Sequence, residues 1–177
     1  MRTTGLSIRA RVLLTLCAVA MATAVQAGKA STVDWPSPAG DAQESGFSPL
    51  DAINTRNIAG LGLAWSLDLE GESTLEATPI AIDGVLYFSG SYAAVYAVDA
   101  VSGTLLWKYD PQTWKHAPAK MTGSLPVNRG VAYANGRVFV AAVDGRLIAL
   151  DARTGAVQWS VETVPPPMQN RSTGAPR

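Results

Sequence analysis

From Ile80 onward the chain alternates short apolar runs with tight polar turns. Val85-Leu86-Tyr87-Phe88 and Val138-Phe139-Val140 are apolar on both faces, which suits strands sandwiched between neighbouring sheets. Ahead of them stand Asp83-Gly84 and Asn135-Gly136, two-residue hairpin signals in which both positions want φ > 0. Asp144-Gly145 supplies another turn, and Leu147-Ile148-Ala149-Leu150 reads as a further strand. Asp151-Ala152-Arg153-Thr154-Gly155 then turns the chain into an outer strand expected to start at Trp159.

This pattern repeats. Ala97-Val98-Asp99-Ala100-Val101-Ser102-Gly103-Thr104-Leu105-Leu106-Trp107 recurs as Ala149-Leu150-Asp151-Ala152-Arg153-Thr154-Gly155-Ala156-Val157-Gln158-Trp159, 52 residues on and without a gap. The Gly84 and Gly136 turns keep the same offset, and Gly62-Leu63-Ala64-Trp65 is a weaker copy of the end of the unit. Four short strands in about 40–50 residues is the period of a propeller blade, so the fold class expected is all-β, with four-stranded antiparallel blades. The recurring residues have mechanical jobs: glycine permits the tight turn, while a tryptophan ring between blades buries area and gives its indole N–H to a backbone acceptor.

Before the first unit, Ser48-Pro49-Leu50-Asp51 offers a cap, a proline at the first helical position and a first-turn acid. With Ile53, Ile58 and Leu61 as apolar positions, it predicts a short helix leading into Trp65. Pro165-Pro166-Pro167 predicts a stiff connector. Two units and the start of a third are too few to close a propeller, so the chain reads as the N-terminal part of a longer protein.

Composition narrows the function classes. Fourteen basic and 14 acidic side chains balance, so no basic surface points to nucleic acid or an anionic membrane. The N-terminus has a basic stretch (Arg2, Arg9, Arg11), the apolar run Val12–Ala22 and small residues at Val25-Gln26-Ala27. These predict a signal peptide over 1–27 and export to the periplasm, with no membrane span after cleavage. Leu16 stands where a lipoprotein signal would want a small residue before Cys17. Cleavage after Ala27 leaves residues 28–177 without cysteine, stabilised by packing and not by disulfides.

Four stretches resemble the quinoprotein dehydrogenases of the methanol/ethanol dehydrogenase type, which use pyrroloquinoline quinone (PQQ). They are Ser48-Pro49-Leu50 with Asn57 and Ala64-Trp65; Glu76-Ala77-Thr78-Pro79 with Asp83–Tyr87; Val127-Asn128-Arg129-Gly130-Val131-Ala132-Tyr133; and Asp144–Ala152. Thr173-Gly174-Ala175-Pro176 is similar to the start of the family's next blade, so the resemblance runs from about Trp35 to Arg177. It implies an eight-bladed propeller with PQQ near its axis, Ca²⁺ beside the cofactor, and oxidation of an alcohol with hydride passing to the quinone. It also implies an electron acceptor such as cytochrome c or a quinone.

Within the repeat, Glu76, Arg129 and Thr173 hold nearly the same place, just ahead of the innermost strand of successive units. In a propeller those places converge on the axis. The resemblance carries PQQ contacts to these same three residues, and PQQ's three carboxylates suit arginine and hydroxyl donors. Read without it, they are a loop acid, a turn arginine and a capping hydroxyl.

Departures from the family pattern also count. Many members have two adjacent, disulfide-bonded cysteines over PQQ, just before the Asn-Arg-Gly segment; here Lys120-Met121-Thr122-Gly123-Ser124-Leu125-Pro126 has none. The family's Ca²⁺ ligands, catalytic aspartate and tryptophan floor belong to later blades, so no catalytic or metal-binding residue is assigned here. There is no C-x-x-C-H haem site. His116 reads as a residue of a polar surface loop. The chain alone is expected to show no PQQ-dependent dye reduction. Two alternatives stay open, a noncatalytic propeller module for protein binding or outer-membrane assembly, and a short β-domain keeping only the scaffold. Glu76 and Asn128-Arg129-Gly130 argue against the first, and open sheet edges would make the second sticky.

Overall fold

A computed structural model of the chain describes residues 33–123, 125–164 and 171–177. The signal peptide expected over 1–27, Cys17, Ser124 and the connector expected at Pro165-Pro166-Pro167 lie outside the described residues.

Two antiparallel four-stranded sheets follow one another. The first is β1 (Ile80–Ile82), β2 (Val85–Ser89), β3 (Val95–Asp99) and β4 (Leu105–Tyr109), in that spatial order. The second is β5 (Ala132–Ala134), β6 (Arg137–Ala141), β7 (Arg146–Asp151) and β8 (Val157–Glu162), likewise in order. The 52-residue period survives into the register: Tyr87↔Ala97↔Trp107 is matched by Phe139↔Ala149↔Trp159. Even the irregularity between third and fourth strands recurs, at Ala97/Val98 and at Ala149/Leu150. These are the four-stranded blades expected from the repeat.

The hairpins form as the turn residues require. Asp83 and Gly84 have φ of 50° and 78°, and Asn135 and Gly136 have 50° and 73°, so both central positions are left-handed. At the other end of each blade an aspartate folds the chain back. Asp99 Oδ1 accepts from Val101 N, Ser102 N and Ser102 Oγ, and Asp151 Oδ1 accepts from Arg153 N, Thr154 N and Thr154 Oγ1.

Alternate residues of both sheets meet in one core that includes Ile80, Ile82, Tyr87, Val95, Val138, Val140, Ile148 and Leu150. Trp107 closes one side of it. Its indole Nε1 donates to Ala152 O at 2.9 Å, and its ring lies where a Cβ on Gly155 would fall, 2.8 Å from the nearest ring carbon. Trp65 repeats the arrangement one unit earlier, donating to Ala100 O at 3.1 Å over Gly103. The glycine therefore has a second task besides the turn: its missing side chain leaves a seat for the tryptophan of the preceding unit.

The structure corrects three local expectations. The helix foreseen from Ser48 is reduced to a single 3-10 turn, Ile58–Gly60. Asn54 and Asn57 explain this, because their side-chain amides bond Asp51 O, Ala52 O, Asn54 N and Arg56 N, groups a helix would use. Leu50, Ile53, Ile58 and Leu61 stay exposed, so no buried apolar face rewards a helix. The outer strand of the second unit begins at Val157, two residues before Trp159. The polar loop around His116 winds into two one-turn helices, Thr113–His116 and Pro118–Met121, the latter started by its proline. His116 is part-exposed there and pairs with Glu162.

Ahead of the first blade, Trp35 exchanges both main-chain hydrogen bonds with Ala81 on β1. No helix among the described residues is long and apolar enough to cross a membrane.

Candidate functional site

Arg129 sits on the lead-in to β5, in a segment held from both sides. Asn128 is buried; its Nδ2 donates to Ala141 O at 2.9 Å and its Oδ1 accepts from Gly130 N at 3.2 Å. Gly130 has φ of 134°, a conformation L side chains rarely adopt, so this position needs glycine. A Cβ built on Gly130 would lie 3.4 Å from Thr78 O and 3.6 Å from the Ala175 Cβ. The lead-ins that carry Glu76, Arg129 and Thr173 thus come together at one place.

Two contacts bring the three expected residues into one cluster. Arg129 N donates to Thr173 O at 2.9 Å, and Arg129 Nε lies 4.0 Å from Glu76 Oε2. Their side chains are uncommitted. Among the described residues the Arg129 guanidinium makes no hydrogen bond, and neither the Glu76 carboxylate nor the Thr173 hydroxyl makes one. The Arg129 and Glu76 side chains are 62% and 48% exposed, so at 4.0 Å their pairing adds little stability.

Beside them lies a hollow of about 300 Å³ lined by Pro38, Arg129, Gly174, Ala175, Pro176 and Arg177. Arg177 brings a second guanidinium, whose Nη1 is paired with Glu44. Of the three clustered residues, only Arg129 lines this hollow; its free guanidinium donors and the Thr173 hydroxyl beside it suit a planar ligand carrying several carboxylates, while the Glu76 carboxylate can only accept. PQQ is such a ligand, and the residues present fit one end of it. Calcium is a different matter. Among the described residues no group of three or more His, Cys, Asp or Glu side chains converges in a way that could hold a metal ion.

Two other polar clusters are structural. Asp144 is fully buried and binds Arg146 through its Oδ2, at 3.0 Å to Nε and 2.6 Å to Nη2. The same Nη2 reaches Pro111 O at 2.6 Å, tying the one-turn helices to the blade. Glu72 takes the hydroxyl of Tyr96 and the main-chain N–H of Ser91. Burial, and then the Glu72 carboxylate, pushes the Tyr96 hydroxyl well above the usual phenol range.

The structure brings the three residues singled out in the sequence, Glu76, Arg129 and Thr173, close together; the sequence did not point to Arg177 or to the anchoring by Asn128. Asn128 carried a signal, an amide between an apolar run and a glycine. Arg177 carried none, because its pairing with Glu44 joins residues 133 apart.

Comparison with known proteins places these features in a family. Residues 35–160 match the PQQ family described as "Glucose/ethanol/alcohol dehydrogenase, beta-propeller domain". Quinohemoprotein alcohol dehydrogenase ADH IIB of Pseudomonas putida is 46% identical over 154 residues, covering 87% of this chain and 22% of that protein. The 1-butanol dehydrogenase (cytochrome c) of Thauera butanivorans is 41% identical over 162 residues, covering 91% of this chain and 23% of that protein. The crystal structure of quinohemoprotein alcohol dehydrogenase from Comamonas testosteroni superposes with a TM-score of 0.75 at 45% identity, over 86% of this chain and 23% of that one. A europium-containing methanol dehydrogenase gives 0.71 at 34% identity, over 81% and 25%. The chain therefore spans less than a quarter of the length of the curated relatives named.

Proposed function

This chain belongs to the glucose/ethanol/alcohol dehydrogenase β-propeller family, and from that premise we propose that it forms the carboxylate-binding edge of a PQQ site. The observation that carries the reading is the cluster of Glu76, Arg129 and Thr173, three uncommitted polar side chains from successive units. The protein to which these blades belong oxidises an alcohol, and PQQ supplies the quinone that accepts the hydride. Its electrons pass on to an acceptor such as cytochrome c or a quinone, in keeping with the 1-butanol dehydrogenase (cytochrome c) relative. The N-terminal pattern over 1–27 supports export to the periplasm, with the propeller blades in residues 28–177.

Each residue has a task that its chemistry suits. Arg129 offers a planar fork of N–H donors to a ligand carboxylate, and its charge offsets the carboxylate's desolvation. Thr173, fixed through its own carbonyl to Arg129 N, adds a hydroxyl donor from the next unit. Glu76 provides an acceptor and, 4.0 Å from Nε, biases the guanidinium toward one orientation. The calcium-binding and proton-abstracting groups implied by the family would stand on blades beyond these.

The test is a titration of the chain with PQQ, followed by quenching of tryptophan fluorescence. Saturable quenching is expected. An Arg129→Ala chain, losing a charge-assisted hydrogen bond of about 1.5–3 kcal/mol, should bind about tenfold to a hundredfold more weakly. Equal binding by the two chains would overturn the reading.

A further inference from the structure

Thr74 stands two residues before Glu76, and Pro126 three residues before Arg129. The Thr74 hydroxyl donates to Pro126 O at 2.9 Å, a bond across 52 residues, one full period of the repeat. It joins the two segments that carry the two charged groups of the candidate site.

Each end of this tie is itself anchored. Ser91 Oγ accepts from Ser73 N at 3.0 Å and from Thr74 N at 3.2 Å, and lies 3.3 Å from Thr74 O, to which it donates. Ser91 begins a 3-10 turn in which Tyr92 and Ala93 have φ of 55° and 68°, unusual for residues other than glycine. The turn keeps that conformation while Tyr92 N donates to the same Pro126 carbonyl at 3.2 Å. Past Pro126, Asn128 fixes the segment to Ala141 O and to Gly130 N. One carbonyl therefore receives donors from two places in the preceding unit, directly upstream of Arg129.

We infer that Thr74 is a positioning residue: its hydroxyl, through Pro126 O, sets where Arg129 stands relative to Glu76 and so tunes the affinity for the cofactor. This rests on the PQQ reading above. The two charged side chains lie 4.0 Å apart and share no hydrogen bond, so their own attraction does not fix the separation. The segments do that.

The experiment compares the unaltered chain with Thr74→Val, Thr74→Ser and Arg129→Ala, reading PQQ affinity by fluorescence quenching and thermal midpoint by circular dichroism. Valine keeps the shape of threonine and removes the hydroxyl. T74V is expected to bind PQQ about tenfold more weakly with an unchanged thermal midpoint, and T74S to regain the affinity. R129A reports on the underlying assignment. If R129A binds as the unaltered chain does, or the unaltered chain does not bind, the PQQ reading fails and the inference goes with it. If R129A binds weakly and T74V binds normally, only the inference fails. A T74V chain that does not fold, or whose affinity falls together with its midpoint and is not regained by T74S, makes the hydroxyl merely structural and overturns the inference.

Discussion

Trp107 lays its indole over Gly155 and donates to the carbonyl of Ala152, so the end of one blade is docked onto a turn of the next. The site is reserved for a residue without a side chain. Gly155 and Gly136 have nearly the same φ, 72° and 73°, yet a Cβ meets the Trp107 ring at 2.8 Å on the first and nothing within 4 Å on the second.

That contrast separates backbone strain from packing. Gly136→Ala should cost about 1 kcal/mol for the left-handed conformation alone. Gly155→Ala should cost that and about 1–3 kcal/mol more, because the indole must leave its seat. Urea denaturation of the two variants gives the comparison, and equal losses would show that the tryptophan moves away freely.

Arg129 should behave as a ligand residue and not as a stabilising one. Arg129→Lys keeps the charge but loses the planar fork, and the exposed pairing with Glu76 is worth only about 0–1 kcal/mol. The unfolding midpoint is expected to stay put while PQQ affinity drops. A variant that unfolds early yet binds PQQ normally would reverse this assignment.

The Asp144–Arg146 pair calls for a double-mutant cycle. Arg146→Met leaves a buried carboxylate without its cation and should cost about 3–5 kcal/mol. Adding Asp144→Asn removes the stranded charge and should recover part of that loss. If the double variant is no more stable than Arg146→Met, the carboxylate is not the source of the cost.

Acid should loosen both blade-end turns. The main-chain N–H and hydroxyl of Ser102 hold the Asp99 carboxyl below its ordinary value, and the hydroxyl and N–H of Thr154 do the same for Asp151. A carboxyl whose pKa is lower folded than unfolded stabilises the fold above the unfolded value, about 3.9, and loses that contribution as pH falls through the folded one. Thermal midpoints should therefore drop below about pH 4, and drop less in an Asp99→Asn, Asp151→Asn chain. Parallel profiles for the two chains would exclude these turns as the acid-sensitive elements.

How far the sequence spoke for the structure depended on how local each signal was. Asp83-Gly84 and Asn135-Gly136 announced their hairpins because two adjacent φ values decide such a turn. The repeat gave the 52-residue offset, and the place just ahead of each unit's innermost strand aligned Glu76, Arg129 and Thr173 although their spacings are unequal. Asn54 and Asn57 misled, because their amides bonded the backbone in competition with the helix. The Trp35–Ala81 rung, the Arg177–Glu44 pair and the Thr74–Pro126 tie were not legible. Each joins residues at least 46 apart, and no pattern within one segment encodes its distant partner.

The tryptophan docking also has a direction. Trp65 fits over Gly103 and Trp107 over Gly155, so every contact runs from the tail of one unit to the turn of its successor. Such a joint is heterologous: its two surfaces differ, and a two-fold axis cannot satisfy it. It can be continued only by translation or rotation in one sense. A blade that brings the same Asp-to-Gly turn and closing tryptophan is thus interchangeable with its neighbour as a mechanical part, while the lead-in residues, acid, arginine or threonine, remain free to differ.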